Sequence, residues 1–159
     1  MKNRPFITTL LLLVMISASS ITMAESVDFT LPDLNGNQRS LSEFRGKWVL
    51  VNYWATWCPP CLAEMPDLEL FHNRHKDKDA VVVGVNMESM GPALLKAFVE
   101  EQFISYPMLQ GEPGDRTELG AVPALPTSYL VSPKGEIVAR QVGAVSGEMV
   151  ESFIKSHKN

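Results

Sequence analysis

Two seven-residue runs dominate the hydrophobic pattern of the chain. Trp48–Trp54 and Ala80–Asn86 are apolar at nearly every position and lack the alternation of a half-exposed strand. Such runs are typical of strands that a parallel sheet buries on both faces. Between them, residues 59–75 carry apolar side chains at helical spacing, and residues 91–102 are predicted as a second helix. The pattern therefore predicts strand, helix, strand, helix, the order of an α/β fold.

Shorter segments on either side are predicted to extend this unit. Residues 29–31 and 38–41 flank the turn signal Asn35-Gly36-Asn37, which favours an N-terminal β-hairpin. Thr127–Ser132 and Glu136–Val142 are joined by a tight turn and are therefore expected to pair antiparallel.

The remaining segments are predicted from weaker signals. Residues 106–114 are expected to form a loop, and residues 115–119 a short helix. Ser146 is a candidate cap for a closing helix that turns three side chains inward: Met149, Val150 and Phe153.

Length and composition fit one globular domain preceded by a short extra segment. The chain has 159 residues, of which 45% are hydrophobic and 20% charged. Lys2 and Arg4 precede an apolar stretch, and Thr22-Met23-Ala24 is typical of a signal-peptidase site. Residues 1–24 are predicted as a signal peptide and 25–159 as the domain. The alternative is an uncleaved membrane anchor, and both place the domain in the periplasm or otherwise outside the cytoplasm.

The net charge argues against nucleic acid as a partner. Removing residues 1–24 takes the formal charge from −4 to −6, because Lys2 and Arg4 are lost and no acidic residue is. The chain has no basic cluster or aromatic-interleaved basic stripe that would bind a phosphate backbone.

The two cysteines of the chain lie in one phrase, Trp57-Cys58-Pro59-Pro60-Cys61, directly behind the first buried strand. This places them at the N-terminus of the following helix, where free N–H groups and the macrodipole favour a thiolate. We expect Cys58 to be the exposed attacking thiol and Cys61 to resolve the mixed disulfide. Pro60 removes an N–H that could have solvated the thiolate, which favours a reducing couple.

The segment from Trp54 to Pro66 resembles the signature of the TlpA/ResA/DsbE-like extracytoplasmic thiol-disulfide oxidoreductases, and the resemblance extends over residues 27–156. It implies a thioredoxin fold, a central mixed sheet flanked by helices, here with the N-terminal hairpin as an extension. It also implies that Pro126, before the third strand, is cis and faces the dithiol. With Leu125 and Trp57, Pro126 is expected to bind the substrate.

The same resemblance suggests which group handles protons. Thioredoxin carries a buried aspartate six residues before the first cysteine, where this chain has Asn52. The resembling family instead uses a carboxylate three residues after the second cysteine, which here is Glu64. One helical turn places Glu64 beside Cys61, so Glu64 is expected to be the catalytic acid-base group.

The resemblance further implies a protein-disulfide reductase without a dissociable cofactor. Its expected partners are disulfide-containing client proteins, with apocytochrome c in cytochrome c biogenesis among them, and a membrane electron donor of the DsbD/CcdA type. The protein is expected to be a monomer.

Three other interpretations of the cysteine pair start from the same residues. A dithiol oxidase would share these residues and differ in potential, and a binding module would hold the pair as a permanent structural disulfide. A zinc site with His72 and His75 is excluded by distance, since eleven helical residues span about 16 Å. No metal is therefore expected, and the histidines are expected on the solvated surface.

Overall fold

The computed structural model describes residues 26–157. Its elements in chain order are β1 (Thr30–Pro32), β2 (Gln38–Ser40), a 3₁₀ turn (Leu41–Phe44), β3 (Trp48–Trp54), α1 (Pro59–His75), β4 (Ala80–Asn86), α2 (Pro92–Glu101), β5 (Met108–Gln110), β6 (Arg116–Thr117), β7 (Gly120–Ala121), β8 (Thr127–Val131), β9 (Ile137–Val142) and α3 (Gly147–His157). The predicted signal peptide lies outside the described residues.

The central sheet has five strands in the order β5-β4-β3-β8-β9. Strands β3, β4 and β5 run parallel, whereas β8 and β9 are antiparallel to their neighbours. With β1 and β2 paired as an antiparallel hairpin, the mixed sheet, its helices and the N-terminal extension confirm the predicted thioredoxin fold. β3 and β4 are buried along their whole length because apolar clusters cover both faces of the sheet.

The carboxyl ends of β3 and β4 meet at one edge of the sheet, since the two strands are parallel and in register. The chain leaves β3 at Trp54 and enters α1 at Pro59, so the cysteine phrase lies at this edge. The loop from β4 to α2 lies there too, because Met87 N–H donates to Trp54 O.

The segment from 106 to 122 differs from the prediction. Residues 108–110 form β5 rather than loop, and residues 115–119 contribute to the β6–β7 hairpin rather than a helix. Gly120 adopts φ +131°, and Val122 N–H donates to Asp115 O, which closes the hairpin. Tyr129 of β8 donates its hydroxyl to Ala121 O, so a side chain of the following strand helps to hold this segment.

The predicted inward face of α3 is partly wrong. Ser146 caps the helix as expected, since its Oγ accepts from Met149 N–H. Val150 is buried, but Met149 is 52% exposed and Ile154 is buried instead. Within residues 26–157, no helix is both long and apolar enough to span a bilayer.

Candidate active site

Cys58 and Cys61 are joined as a disulfide at the start of α1, with their Cα atoms 5.3 Å apart. Cys58 is the helix N-cap, and Cys61 lies in the first turn. Cys58 is 3% exposed and Cys61 is fully buried. The order of exposure agrees with the prediction, but Cys58 is not an exposed thiol in this disulfide form. Its bond to Cys61 directs the side chain into the core cluster.

Pro59 and Pro60 occupy the first two positions of α1. A proline fits the first helical turn because that turn has no intrahelical partner for its N–H groups. The two residues between the cysteines therefore present no N–H donor to a sulfur atom.

A carboxylate from another strand holds the loop before the cysteines. Glu88, just after β4, accepts from Thr56 N–H at 2.8 Å and from the Thr56 hydroxyl at 3.1 Å, and Asn86 Nδ2 donates to it at 2.8 Å. Sequence reasoning missed Glu88. The available signal was its position: it follows a parallel strand whose carboxyl end meets the same sheet edge as β3.

Glu64 is buried on the inner side of α1, where both carboxylate oxygens accept a hydrogen bond. Asn52 Nδ2 of β3 donates to Oε1 at 2.7 Å, and Val145 N–H donates to Oε2 at 2.7 Å. Burial raises the pKa of Glu64 above its usual range, while the bonds from Val145 and Asn52 act in the lowering direction. The carboxyl therefore keeps its proton to a higher pH than a solvated glutamic acid does, and its two hydrogen bonds limit this shift.

Asn52 connects this carboxyl to the neighbouring strand. Its Nδ2 also donates to Ser128 Oγ of β8 at 3.0 Å, while its Oδ1 has no hydrogen-bond partner among residues 26–157. The amide therefore offers only N–H to Glu64, an arrangement that matches the carboxylate form.

The Leu125-Pro126 peptide bond is cis, as predicted, and immediately precedes β8. The Pro126 carbonyl accepts from Gly143 N–H just after β9, so part of its acceptor capacity is already used within the fold. Leu125 is half-buried against both core clusters, and its backbone makes no hydrogen bond within the described part of the chain.

The two tryptophans that flank the loop have different surroundings. Trp54 is buried and its ring stacks on Phe98 at 5.9 Å, so it belongs to the core. Trp57 is 67% exposed beside Cys58. Of the two, Trp57 is the aromatic side chain available to another molecule.

The histidine prediction needs one correction. His72 is buried rather than solvated, and its Nδ1 accepts from Val82 N–H at 3.2 Å. β5 pairs with β4 only from Gly84 onward. The Val82 N–H therefore has no acceptor in β5 and donates to His72 instead. No group of three metal-ligating side chains occurs among residues 26–157.

A bonded Cys-x-x-Cys pair at the N-terminus of α1, a buried carboxyl one turn later and a cis proline before β8 together define a thiol-disulfide oxidoreductase of the thioredoxin fold. The comparisons with known proteins agree with this class.

Residues 23–140 match the AhpC/TSA family. Thiol-disulfide oxidoreductase ResA from Bacillus subtilis is 33% identical over 99% of this chain and 93% of its own length.

Two solved structures are also similar to this chain. A DsbF homologue from Corynebacterium diphtheriae has 25% identity and a TM-score of 0.71, over 82% of this chain and 85% of that one. An exposed lipoprotein thioredoxin from Streptococcus pneumoniae has 26% identity and a TM-score of 0.68, over 81% and 98%. The chain belongs to the AhpC/TSA family and is a ResA-like thiol-disulfide oxidoreductase.

Proposed function

We propose that this protein reduces disulfides in client proteins outside the cytoplasm. The observation that carries the direction is the pair of prolines at the first two positions of α1. Donors near the attacking sulfur stabilise the reduced, thiolate form and make a couple more oxidising. With neither Pro59 nor Pro60 offering an N–H, the reduced form is less stabilised and transfers its electrons more readily.

In the proposed cycle, the Cys58 thiolate attacks a client disulfide, forms a mixed disulfide and releases one client thiolate. The Cys61 thiolate then attacks Cys58 Sγ and releases the second. Two electrons pass to the client, and the structure holds the resulting Cys58–Cys61 disulfide.

Glu64 is proposed as the group that takes the proton from Cys61 before this second attack. Its place one helical turn after Cys61 and its burial support the role, because a buried carboxylate with a raised pKa is a stronger base than a solvated one.

Client docking is assigned to Leu125, Pro126 and Trp57. The unused backbone groups of Leu125 can pair with an extended client segment, as an added strand does. The Pro126 carbonyl is already bonded to Gly143, so Pro126 is proposed to shape the surface rather than to accept a bond. Trp57 supplies exposed aromatic area beside the sulfur atoms.

The proposed location rests on the basic, then apolar N-terminal segment. The pneumococcal relative is described as an exposed lipoprotein, which supports a site outside the cytoplasm. There a membrane thiol donor of the DsbD/CcdA type would reduce the pair again, apocytochrome c is a candidate client, and the protein is proposed to act as a monomer.

The deciding experiment is the potential of the Cys58–Cys61 couple, measured by equilibration with a dithiothreitol series and alkylation of each thiol. A potential below about −250 mV supports a reductase. A value near about −120 mV would overturn the direction and make the protein an oxidant. Cys61→Ser should trap a mixed disulfide with a client peptide, whereas Cys58→Ser should not. If neither variant traps one and the pair resists mild reductant, the disulfide is structural.

A further inference from the structure

A second acidic side chain lies on the Glu64 face of α1. Asp67 lies three residues after Glu64, so the two carboxyl groups share one side of the helix. The Asp67 Oδ2 atom accepts from Gly147 N–H at 2.5 Å. Glu64 and Asp67 therefore bind N–H groups two residues apart in the segment that joins β9 to α3.

This segment makes few other hydrogen bonds near the site. Gly143 N–H donates to Pro126 O at its start, and α3 begins at Gly147. The first N–H groups of a helix have no intrahelical acceptor, so Asp67 satisfies one of them from outside. Val145 is buried in the core, and its N–H is kept against Glu64 by this burial together with the hydrogen bonds of Gly143 at one end of the segment and of Gly147 at the other.

The close seating of Gly147 depends on its having no side chain. A Cβ there would lie 2.9 Å from Phe71 Cβ and 3.5 Å from Asp67 O. Any larger residue would push the start of α3 away from α1. Two independent features, an acceptor on α1 and a glycine on α3, therefore bring this segment onto the Glu64 face.

We propose that Asp67 is a positioning residue for Glu64: by holding Gly147 N–H it keeps Val145 N–H on the Glu64 carboxylate and so sets the proton affinity of that group. The inference rests on the acid-base role proposed for Glu64. A hydrogen bond to the charged form of an acid lowers its pKa, so a displaced Val145 N–H would raise the pKa of Glu64.

The other groups around Glu64 do not obscure this shift in its pKa. The sheet and the β9–α3 segment present Asn52, Ser128 and Val145, none of which titrates. Tyr106 faces Glu64 from the segment before β5, and burial raises the pKa of Tyr106, so its hydroxyl stays neutral. The cysteines do not titrate in the disulfide form.

The test is a ¹³C NMR titration of the Glu64 side-chain carboxyl in the oxidised protein, with the resonance assigned from Glu64→Gln. This readout needs no client and no turnover, so it stands even if the reductase proposal fails. Asp67→Ala should move the Glu64 midpoint upward by about one pH unit, the effect of losing part of one bond to a charged acceptor. Asp67→Asn keeps an acceptor for Gly147 N–H and should titrate like the wild type.

A second route to the same displacement is Gly147→Ala, which leaves the Asp67 charge in place. It should raise the Glu64 midpoint in the same direction and speed amide exchange at Val145. An unchanged or lowered midpoint in Asp67→Ala would overturn the proposal, since lost charge repulsion lowers a carboxyl pKa. Equal upward shifts in Asp67→Ala and Asp67→Asn would overturn it as well, because Asn keeps an acceptor for Gly147 N–H and the hydrogen bond would then not be the cause.

Discussion

The two ends of helix α1 each bury one titratable side chain, Glu64 near the start and His72 near the end, and each is about 5% exposed. Burial disfavours the charged form in both, so it raises the pKa of Glu64 and lowers that of His72. Their hydrogen bonds act differently. Glu64 receives two N–H donors, which favour its charge, whereas His72 Nδ1 accepts Val82 N–H, which requires a neutral nitrogen.

At His72 burial and hydrogen bonding therefore act together, and the ring is held neutral as part of the fold. At Glu64 they oppose each other, because burial favours the neutral acid and the two N–H donors favour the carboxylate. The difference teaches that burial alone does not make a group reactive. A proton-transfer role requires contacts that stabilise the form that burial disfavours.

The largest expected effect comes from Glu64→Gln. Glutamine keeps an oxygen for one N–H donor but cannot take a proton, so client reduction should slow by about 100-fold and lose its pH dependence near neutrality. Single-turnover kinetics with a fluorescent disulfide peptide measures both.

The matched control is Glu69→Gln on the same helix, because Glu69 is remote from the cysteines and accepts hydrogen bonds from the N–H and hydroxyl of Ser105 and from the Asn73 side-chain amide. Its rate should stay within about two-fold of the wild type. An equal loss of rate in both variants would mean that losing any carboxylate from α1 slows the reaction. Glu64 would then have no special role, and its contrast with His72 would not hold.

His72→Ala should do the opposite, with a large effect on stability and little on chemistry. The change leaves Val82 N–H without its acceptor and opens space beside Tyr106, whose ring centroid lies 5.9 Å from that of His72. We expect a loss of about 2–4 kcal/mol in the free energy of unfolding. Urea titration of the oxidised protein measures it, with the reduction rate of the folded variant as the control. A rate as low as that of Glu64→Gln would contradict a purely structural role.

The comparison also predicts opposite pH windows for stability. The raised pKa of Glu64 means that its contribution is complete below about pH 4.5, its ordinary value, and is lost as pH rises through the folded value. The lowered pKa of His72 means that its contribution is complete above about pH 6.5 and is lost as pH falls. Thermal unfolding between pH 4 and 8 measures this. The stability of the wild type relative to Glu64→Gln should fall as pH rises, and its stability relative to His72→Ala should fall as pH falls. Parallel curves would refute the assignment.

How far the sequence predicts this molecule depends on how local each cause is. The bounds of β3, α1 and β4 agree with the pattern because a long periodic or fully apolar run carries its own signal. β5 is short and pairs with the end of β4 and, through one bridge, with Asp33, while the β6–β7 hairpin is held in part by the Tyr129 hydroxyl of β8, so neither is specified by its own residues alone. The burial of His72 was missed for a related reason, since its acceptor role follows from the fact that β5 begins only opposite Gly84.

The candidate site divides in the same way. Cys58, Cys61, Glu64 and Pro126 lie in motifs whose spacing is visible in the chain. Val145 and Glu88 are not visible, because one contributes only a backbone N–H and the other reaches the cysteine loop from the end of β4.

The smallest expected effect concerns the rim beyond the start of α1. Trp57→Ala should reduce the rate with a protein client by about three- to ten-fold, since an exposed aromatic supplies contact area, and should leave a small-molecule disulfide unaffected. The control is Phe103→Ala, an even more exposed aromatic that follows α2 at the end away from the cysteines. If Trp57→Ala slows both substrates equally, Trp57 shapes the cysteine loop instead of the client surface. The start of α1 would then act through Cys58, Cys61 and Glu64 alone, and recognition would rest on the backbone of Leu125.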